Sequence, residues 1–356
     1  MNLLLISTSR SEFGQLAPLA REAMAQGHRA RLVVTGMHHD SRTPTAAEAE
    51  GLDLLRLPRP QDSLGLVHQV ALRDAIAAER PDVIVILGDR FELFELLVPV
   101  VLADVPVAHL SGGERTAGAI DDLVRNAVSQ VAHLHYPAHE MAGERLQELG
   151  VEGWRVCIAG EPGLDAIRTE PRPTDLTPFL GVQPQEGDVL VALHPVTRSP
   201  AETTACIEAI HAAAQGSPQR WFVSSPNGDP GSEDIRARLQ GGSFVPFANH
   251  GAAVFRAIAA ACGTVIGNSS AGLVEAPNLG CATIDLGTRQ RGRPRGGSVI
   301  TLEAPTPALL RDALARVPQA RERARPDLNP YGDGHTCARI VRHLAERLTD
   351  PRLRQR

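Results

Sequence analysis

The segment "TVIGNSSAGLVEAP", Thr264–Pro277, reads as a short apolar strand, a turn of small residues and the start of a helix. In parallel α/β proteins, a strand, loop and helix N-terminus of this kind often binds phosphate groups. A phosphate loop of the Walker type also needs a lysine, and the chain has none, because all 36 of its Lys and Arg residues are arginine. The turn therefore predicts an α/β protein that binds an anion without an ammonium group.

The same alternation of short apolar runs and helix-length amphipathic segments extends along almost the whole chain. Runs that are apolar on both faces and are separated by helices predict parallel sheets with right-handed crossovers. We therefore expect α/β architecture, with two Rossmann-like, doubly wound domains that face each other across a cleft. The candidate strands are 3–7, 31–35, 82–87, 106–110 and 155–159, followed by 188–193, 220–225, 243–247, 263–267 and 281–286.

A stretch rich in Pro, Thr and Gly with no strong strand pattern separates the two series of strands. We predict an N-terminal domain over 1–165, an interdomain connection over 166–187 and a C-terminal domain over 188–333. Residues 334–356 contain an amphipathic helix, for which the N-terminal domain is the candidate packing surface.

Composition limits the classes of function. The 356 residues are 43% hydrophobic and 22% charged with a net charge of −5, a mildly acidic balance that disfavours nucleic-acid binding. The start "MNLLLIST" lacks the basic region of a signal peptide, and no apolar run reaches the length of a membrane span. Five scattered cysteines indicate free thiols and a cytoplasmic location. The absence of lysine excludes a Schiff base and leaves arginine as the permanent cation.

Carboxylates follow the strands of the first domain. "GDRFE" places Asp89 and Arg90 after one strand, "SGGE" places Glu114 after the next, and Asp121 and Asp122 start a helix. Carboxylates at a helix start also serve as caps, so capping and catalysis both remain open for the aspartate pair. Three carboxylate sites at strand ends predict a general base and a general acid.

The second domain offers anion-binding groups. His194 ends a strand close to Arg198, which favours a phosphate ligand over a purely structural histidine. Ser269 and Ser270 fall at the N-cap and first turn of the opening helix, where amides and hydroxyls suit a diphosphate.

Further residues of this domain extend the predicted site. Glu275 lies one to two turns beyond the serines, where a carboxylate suits ribose hydroxyls. Arg289 opens an arginine-rich run, "GTRQRGRPRG", which we expect to help neutralise phosphates. Asn227 follows another strand in "SSPNGDPG", where turn formation is the competing explanation.

Two loops of the first domain complete the candidates. Arg10, in "STSRSEFG", is a candidate for contact with a phosphate, and Ser11 beside it is equally suited to cap a helix. His38 lies in "TGMHHD", but adjacent histidines point in different directions and make a metal pair improbable. No zinc or two-metal signature is present, so we expect no metal.

In this order, the residues resemble the UDP-N-acetylglucosamine 2-epimerase family, with a closer match to the hydrolysing branch of sialic-acid and legionaminic-acid pathways. The resemblance covers nearly the whole chain, and the joint occurrence of its motifs is highly specific. The segments that carry it are "GDRFE", "GGE", "IDD", "GNSSAG" and "GTRQ" followed by "GR".

The resemblance implies a fold of the glycosyltransferase B type that binds a UDP-sugar without NAD or an essential metal. It implies removal of the C2 proton with expulsion of UDP, then addition of water to the glycal to give a C2-inverted sugar such as N-acetylmannosamine. It also implies a homo-oligomer, a dimer or tetramer. The implied acid–base residues are Asp89, Glu114 and Asp121 or Asp122, and the implied UDP ligands are His194, Asn227, Ser269, Ser270, Glu275 and Arg289, with Arg10 opposite.

Three departures from the family pattern keep alternatives open. Ser111 stands before the double glycine where relatives usually have histidine, and Asn126 stands where they carry a second histidine. The first loop reads "STSRSEFG" where relatives usually have a "GTRAEYG"-like segment. An amide cannot carry protons between groups, so the sugar and any role of that histidine stay open. The alternatives are a non-hydrolysing epimerase, a glycosyltransferase of the same fold, and a nucleotide-sugar binding protein without catalysis.

Overall fold

The computed structural model describes residues 1–39, 46–59, 65–115, 121–226 and 230–354. The chain divides into two compact units: Met1–Ala166 with Gly334–Arg356, and Ile167–Asp333. Each unit contains a six-stranded sheet in which all the pairings are parallel. No helix within the described ranges is long and apolar enough to span a lipid bilayer.

The first sheet has six strands: β1 (Asn2–Ser7), β2 (Arg29–Val34), β3 (Asp53–Arg56), β4 (Val83–Leu87), β5 (Val107–Leu110) and β6 (Leu134–Tyr136). Their order is β3-β2-β1-β4-β5-β6. Strand order reverses between β1 and β4, so the loops that follow these two strands flank a topological switch point, where α/β sheets bind ligands.

The second sheet repeats this arrangement with β7 (Val189–Ala192), β8 (Trp221–Ser224), β9 (Phe244–Phe247), β10 (Thr264–Gly267), β11 (Ala282–Leu286) and β12 (Val299–Leu302). Their order is β12-β11-β10-β7-β8-β9. The switch point of this sheet lies between β7 and β10. Both units therefore have the Rossmann strand order.

Helices connect the strands and cover both faces of each sheet. Those of the first unit are α1 (Arg10–Ala25), α2 (Ala46–Ala49), α3 (Leu66–Glu79), α4 (Glu92–Leu102), α5 (Asp121–Val131), α6 (Glu140–Glu148) and α7 (Asp165–Thr169), which runs into the second unit. The others are α8 (Thr177–Leu180), α9 (Pro200–Ala214), α10 (Ser232–Arg238), α11 (Ala252–Cys262), α12 (Ser270–Val274), α13 (Pro307–Ala315), α14 (Val317–Arg321) and α15 (Thr336–Arg347).

Each sheet has an apolar core on both faces, as expected from strands such as β4, in which every residue is buried. In the first unit, α1 and α15 pack on one face, and α3, α4 and α5 pack on the other. In the second unit, α9 and α13 cover one face and α11 covers the other. The predicted class, two Rossmann-like doubly wound α/β domains, is confirmed.

The terminal helix α15 packs against α1. Asp165 accepts hydrogen bonds from the amides of Thr336 and Cys337, at 2.8 and 2.9 Å, and thus caps the start of α15 with a side chain from a distant part of the chain. At the other end, the Tyr136 hydroxyl lies 3.0 Å from Nδ1 of His343. These contacts fix α15 on the first unit.

One predicted strand, 155–159, is wrong. A 3₁₀ turn at Gly153–Arg155 occupies its start, and Val156 forms a single parallel bridge to His135 of β6, which is the actual sixth strand. Arg155 is buried and donates to the carbonyls of His133 and Ala132. Beyond it, the amides of Cys157 and Ala159 donate to the carbonyls of His135 and Pro137, so the segment follows β6 through a few main-chain bonds and one bridge without forming a strand. The short edge strands β3 and β12 lack a predicted counterpart because their partly exposed residues give little apolar signal.

Candidate active site

Arg125 joins the predicted carboxylate sites of the first unit. Its guanidinium contacts the carboxylate of Asp89, which follows β4, and lies 3.0 Å from Oδ1 of Asp122, one turn back on α5. The same guanidinium donates to the main-chain carbonyl of Glu114, after β5, at 2.8 Å. Arg125 is only 3% exposed, so its charge needs these acceptors. The three sites thus lie close together, as expected, and one buried guanidinium contacts all of them.

A second arginine supports the same cluster. Arg145 of α6 donates to the Glu114 carbonyl at 2.6 Å and to Oδ2 of Asp122 at 3.1 Å. The Glu114 side chain instead has its Oε1 2.7 Å from Nε2 of His139, which caps α6 by accepting from the Ala142 amide at Nδ1. That acceptor role leaves the proton of a neutral imidazole on Nε2, facing Glu114.

A buried histidine fixes the loop that carries Asp89. His109 of β5 is fully buried, with Nε2 3.0 Å from the Gly88 carbonyl and Nδ1 3.0 Å from the Ser129 hydroxyl. Burial lowers the pKa of His109 to about 4, so the ring is neutral, donates to Gly88 and accepts from Ser129. The ring thereby ties the ends of β4 and β5 to α5.

The double glycine before Glu114 has a steric reason. Gly113 has a φ of +80°, and a Cβ there would lie 2.1 Å from the Ala142 carbonyl oxygen. The backbone of this turn therefore packs directly on the start of α6. Ser111, just before the glycines, also has a positive φ of 55°, and its hydroxyl lies 3.4 Å from both carboxylate oxygens of Glu161.

Glu12 is a buried carboxyl group at the switch point of the first sheet. Its Oε2 accepts from the Thr8 amide, the Thr8 hydroxyl and the Ser9 amide, at 2.5, 2.8 and 3.1 Å, and completes a capping box with Ser9. Its Oε1 is buried and has no hydrogen-bond partner among the described residues. Burial raises the pKa of Glu12 to about 7 despite the hydrogen bonds from Thr8. The adjacent Arg90 guanidinium forks onto Glu92 at 2.9 and 3.2 Å, which raises the pKa of Arg90.

Asn268 organises the switch point of the second sheet. This fully buried residue follows β10, and its side-chain amide bonds both main-chain groups of His194, which follows β7. Oδ1 accepts from the His194 amide and Nδ2 donates to the His194 carbonyl, each at 2.8 Å. The Asn268 carbonyl accepts from Arg289 at 3.0 Å and from the buried Gln290 at 2.9 Å. One residue thus assembles the predicted His194, serine turn and Arg289.

The turn itself is closely packed on β7. Gly267 has a φ of +145°, and a Cβ there would lie 2.1 Å from the Ala192 carbonyl, so the position requires glycine. The amides of Asn268 and Ser269 both donate to that carbonyl, at 3.1 and 3.2 Å. Ser269 is the N-cap of α12, as expected, and accepts from the Ala271 amide. The amides of Asn268 and Ser269 are therefore already hydrogen-bonded. The donors that the turn offers an anion are the amide of Ser270 and the hydroxyls of Ser269 and Ser270.

Two of the four arginines in the run after β11 are paired with protein carboxylates. Arg295 forks onto the buried Asp285 at 2.7 and 3.1 Å, and Arg291 lies 2.8 Å from Glu303. Burial raises the pKa of Asp285, and the Arg295 guanidinium opposes that rise. Arg291 and Arg295 are thus paired with protein carboxylates, whereas Arg289 is exposed beside the Asn268 turn, and the contribution of the run to neutralising phosphates stays a prediction.

Other predicted ligands lie as follows. Glu275 is bound at 2.6 Å by Arg256, which also contacts Glu170. Arg10 begins α1 and lies 3.1 Å from Glu48. His38 is buried after β2, 2.9 Å from the Ser7 hydroxyl.

The remaining candidates differ in exposure. Arg198 is exposed in the loop before α9, and Asp121 is half-buried at the first position of α5. Asn227 lies outside the described residues. Ser9, not Ser11, caps α1.

Several residues of both clusters were missed from the sequence. Arg125 stands three residues after Asp122, the helical spacing of an ion pair, and Asn268 stands inside the quoted glycine–serine turn. Arg145 and His139 come from α6 and carry no local signal that relates them to Glu114. Within the ranges that the structure describes, no group of three or more His, Cys, Asp or Glu side chains is arranged to hold a metal ion.

Two Rossmann-like units with polar side chains gathered at both switch points place the chain among α/β proteins of the kind that bind nucleotides at such edges. Residues 22–345 match the family model described as UDP-N-acetylglucosamine 2-epimerase. The chain therefore belongs to the UDP-N-acetylglucosamine 2-epimerase family.

Curated relatives agree with this placement, and solved structures match the fold. The UDP-N,N'-diacetylbacillosamine 2-epimerase (hydrolyzing) of Legionella pneumophila is 28% identical over 96% of this chain and 95% of its own length. The UDP-N-acetylglucosamine 2-epimerase of Neisseria meningitidis serogroup B is 31% identical, over 84% and 82%. A crystal structure described as a putative UDP-N-acetylglucosamine 2-epimerase from Listeria monocytogenes matches the fold with a TM-score of 0.80 at 19% identity, covering 98% of this chain and 97% of that one.

Proposed function

We propose that this protein is a hydrolysing 2-epimerase of UDP-N-acetylglucosamine or a close UDP-2-acetamido sugar. A base removes the C2 proton, the C1–oxygen bond breaks, and UDP leaves with the bonding electron pair, which gives a 2-acetamidoglucal. Water then adds its hydroxyl at C1, and C2 receives a proton on the face opposite to the one from which its original proton left. The net reaction converts the UDP-sugar and water into UDP and the C2-inverted free sugar.

The observation that carries this proposal is the cluster around Arg125, which joins the carboxylates of Asp89 and Asp122 to the main chain of Glu114. A C2 proton next to no carbonyl is weakly acidic, so its removal needs a positioned base and a second group that delivers a proton. Arg125 and Arg145 compensate the charges of Asp89 and Asp122, whereas Glu114 contacts His139. We infer that Glu114 with His139 forms one proton-transfer pair and that Asp89 or Asp122 supplies the other carboxylate.

The switch point of the second unit supports UDP as the leaving group. Expulsion of a diphosphate is favoured by donors that are already in place when charge develops on it. Ser269, Ser270, His194 and Arg289 are held together by Asn268 and form such a set without lysine. We propose that they bind the diphosphate, and that Glu275 accepts ribose hydroxyls while held by Arg256.

The hydrolysing branch is the finer part of the proposal. Its support is the "GDRFE" and "GTRQ" motifs and the hydrolysing 2-epimerase of Legionella pneumophila among the relatives. The competing function is a non-hydrolysing epimerase, and the Neisseria meningitidis relative carries a name without that qualifier. The two differ in product, because only hydrolysis separates UDP from the sugar.

The test is to incubate the purified protein, without any sugar acceptor, with UDP-N-acetylglucosamine and with UDP-N,N'-diacetylbacillosamine. We expect UDP to be released in an amount equal to the substrate consumed, together with a free 2-epimer, as measured by anion-exchange chromatography. Glu114→Gln should lose this activity, while the exposed Glu148→Gln on α6 should retain it.

Other outcomes would contradict the proposal in different ways. A UDP-linked epimer without released UDP would assign the non-hydrolysing reaction. UDP release that needs a sugar acceptor would indicate a glycosyltransferase. Tight UDP binding without turnover of either substrate, unchanged in Glu114→Gln, would indicate a binding protein.

A further inference from the structure

Arg256 is a buried arginine of α11 that takes part neither in the proposed proton transfers nor in the proposed diphosphate contacts. Its side chain is 8% exposed, and the neighbouring Val254, Ala257 and Ile258 of the same helix belong to an apolar core. A buried guanidinium loses its hydration, and an apolar side chain of similar size in such a place is often as stable or more so. Packing therefore does not explain an arginine at this position, so we looked to the groups that it binds.

The guanidinium of Arg256 contacts two carboxylates unequally. Its Nε donates to Oε2 of Glu275 at 2.6 Å, a short charge-assisted hydrogen bond, whereas its Nη1 lies 3.5 Å from Oε2 of Glu170. The Glu170 side chain is 40% exposed, and the Glu275 side chain is 26% exposed. Arg256 thus holds Glu275 firmly and Glu170 only weakly.

Glu275 is fixed at both its main chain and its side chain. It is the C-cap of α12, and its amide donates to the Ala271 carbonyl at 2.9 Å. Arg256 occupies Oε2, which orients the carboxylate and leaves Oε1 as the oxygen for a ligand. An α-helix rises about 1.5 Å per residue, so Glu275 lies about 8 Å along α12 from Ser269 and Ser270. That spacing suits a ribose whose diphosphate is bound at the two serines.

The charge of Arg256 matters as much as its position. A carboxylate close to a bound diphosphate would repel it, because both are anions. The guanidinium compensates the charge of Glu275 from the buried side, without occupying Oε1. The pair can therefore accept hydrogen bonds from hydroxyl groups with little net charge of its own. A ribose offers two adjacent hydroxyls to such an acceptor, and a 2′-deoxyribose offers one.

We propose that Arg256 is a positioning residue that makes the nucleotide site selective for ribose over 2′-deoxyribose. It fixes Oε2 of Glu275 and thereby presents Oε1 to the 2′- and 3′-hydroxyls of the ribose. The inference rests on the proposed function, from which it takes the contact between Glu275 and the ribose, and it adds the group that makes this contact selective.

The test is calorimetry of the binding of UDP and of 2′-deoxy-UDP to the full chain. The wild type should bind UDP about tenfold or more tightly than the deoxynucleotide, the usual contribution of a hydrogen bond to a charged group. Arg256→Met should reduce this ratio to about threefold or less. The matched control is Glu170→Gln, which alters the weaker partner of the same guanidinium and should keep the wild-type ratio.

A double-substitution cycle shows whether Arg256 acts through Glu275. Glu275→Ala should reduce the ratio as Arg256→Met does, and the two substitutions together should reduce it no further than Glu275→Ala alone. A purely structural role of Arg256 would instead weaken the binding of both nucleotides equally and leave their ratio unchanged. If Arg256→Met does not fold, Arg256→Lys keeps a cation but lacks the Nε donor, and it should also lower the ratio.

Several results would overturn this role. They are a wild type that binds both nucleotides alike, a wild-type ratio retained in the folded Arg256 variant, and an equal fall of the ratio in Glu170→Gln. These measurements are separate from turnover. If the expected ratios are found but no UDP is released from a UDP-sugar, the proposed reaction fails and the role of Arg256 stands. If UDP is released but both nucleotides bind alike, the role of Arg256 fails and the reaction stands.

Discussion

Arg125 contacts the carboxylate of Asp89 from a buried position on α5, and the same guanidinium bonds Asp122 and the Glu114 carbonyl. This relationship connects the ends of β4 and β5 with the start of α5. The guanidinium presents its donors in a fixed planar fork, a geometry that the compact ammonium of lysine does not reproduce.

Substitution of Arg125 should therefore damage both stability and activity. We expect Arg125→Met to lower the free energy of unfolding by about 3–5 kcal/mol, because it leaves Asp89 and Asp122 without their common partner. Arg125→Lys should restore only part of this loss. Urea denaturation of both variants measures the effect. Arg325→Met removes an exposed pair with Asp327 and should change stability by less than about 1 kcal/mol. Equal effects of Arg125→Met and Arg325→Met would refute this role.

Glu114 should affect turnover much more than nucleotide binding. Glu114→Gln keeps the shape of a side chain that lies 2.7 Å from His139 but cannot exchange a proton. We expect kcat to fall by roughly 10²–10⁴-fold, the usual contribution of a general acid or base, with UDP affinity within about threefold of the wild type. Initial rates and UDP calorimetry on one preparation measure both quantities. A variant that loses UDP affinity and retains kcat would place Glu114 in binding.

Asn268 should affect nucleotide binding and stability together. Asn268→Ala removes both bonds that join the end of β10 to the partly buried main-chain groups of His194. We expect a loss of about 2–3 kcal/mol in unfolding free energy and at least tenfold weaker UDP binding. Asn249→Ala is the matched control, because that exposed asparagine makes one local bond to the Gly251 amide. Unchanged UDP affinity in Asn268→Ala would separate this turn from the nucleotide.

The buried Glu12 predicts a specific dependence of stability on pH. In the unfolded chain the group loses its proton near pH 4.5, whereas in the folded chain its pKa is about 7. Between these values the folded state holds more protons, so the contribution of Glu12 to stability is fully present below pH 4.5 and is lost as pH rises to 7. The loss amounts to roughly 3 kcal/mol.

Glu12→Gln removes this titration and keeps an acceptor for the Thr8 and Ser9 amides. The variant should therefore gain stability relative to the wild type, from near zero at pH 5 to roughly 3 kcal/mol at pH 8. Denaturant midpoints at both pH values measure the difference, and His109, whose titration raises stability with pH, contributes equally to both proteins. Glu148→Gln, on the exposed side of α6, should show no such trend. A difference that stays constant with pH would contradict the raised pKa.

The fold was largely predictable because buried parallel strands are continuous apolar runs, as in β1, β4 and β10. The edge strand β3 was not, because two of its four residues are exposed and two only partly buried. The loops that carry site residues were also predictable, since they follow recognisable strands. The partners of these residues were not predictable. Glu114 contacts His139, the N-cap of α6, and the Asn268 side chain bonds His194, which follows the neighbouring strand β7. Such contacts depend on tertiary packing that no local pattern encodes.

The proposed reaction requires that C2 lose its proton and UDP leave before water adds. Proton and phosphorus NMR of the reaction in D₂O follows both events in one sample. We expect free UDP and a free C2-inverted sugar that carries one deuterium at C2, because the proton returned there comes from solvent. A product that retains its original C2 proton, or a sugar that remains attached to UDP, would contradict it.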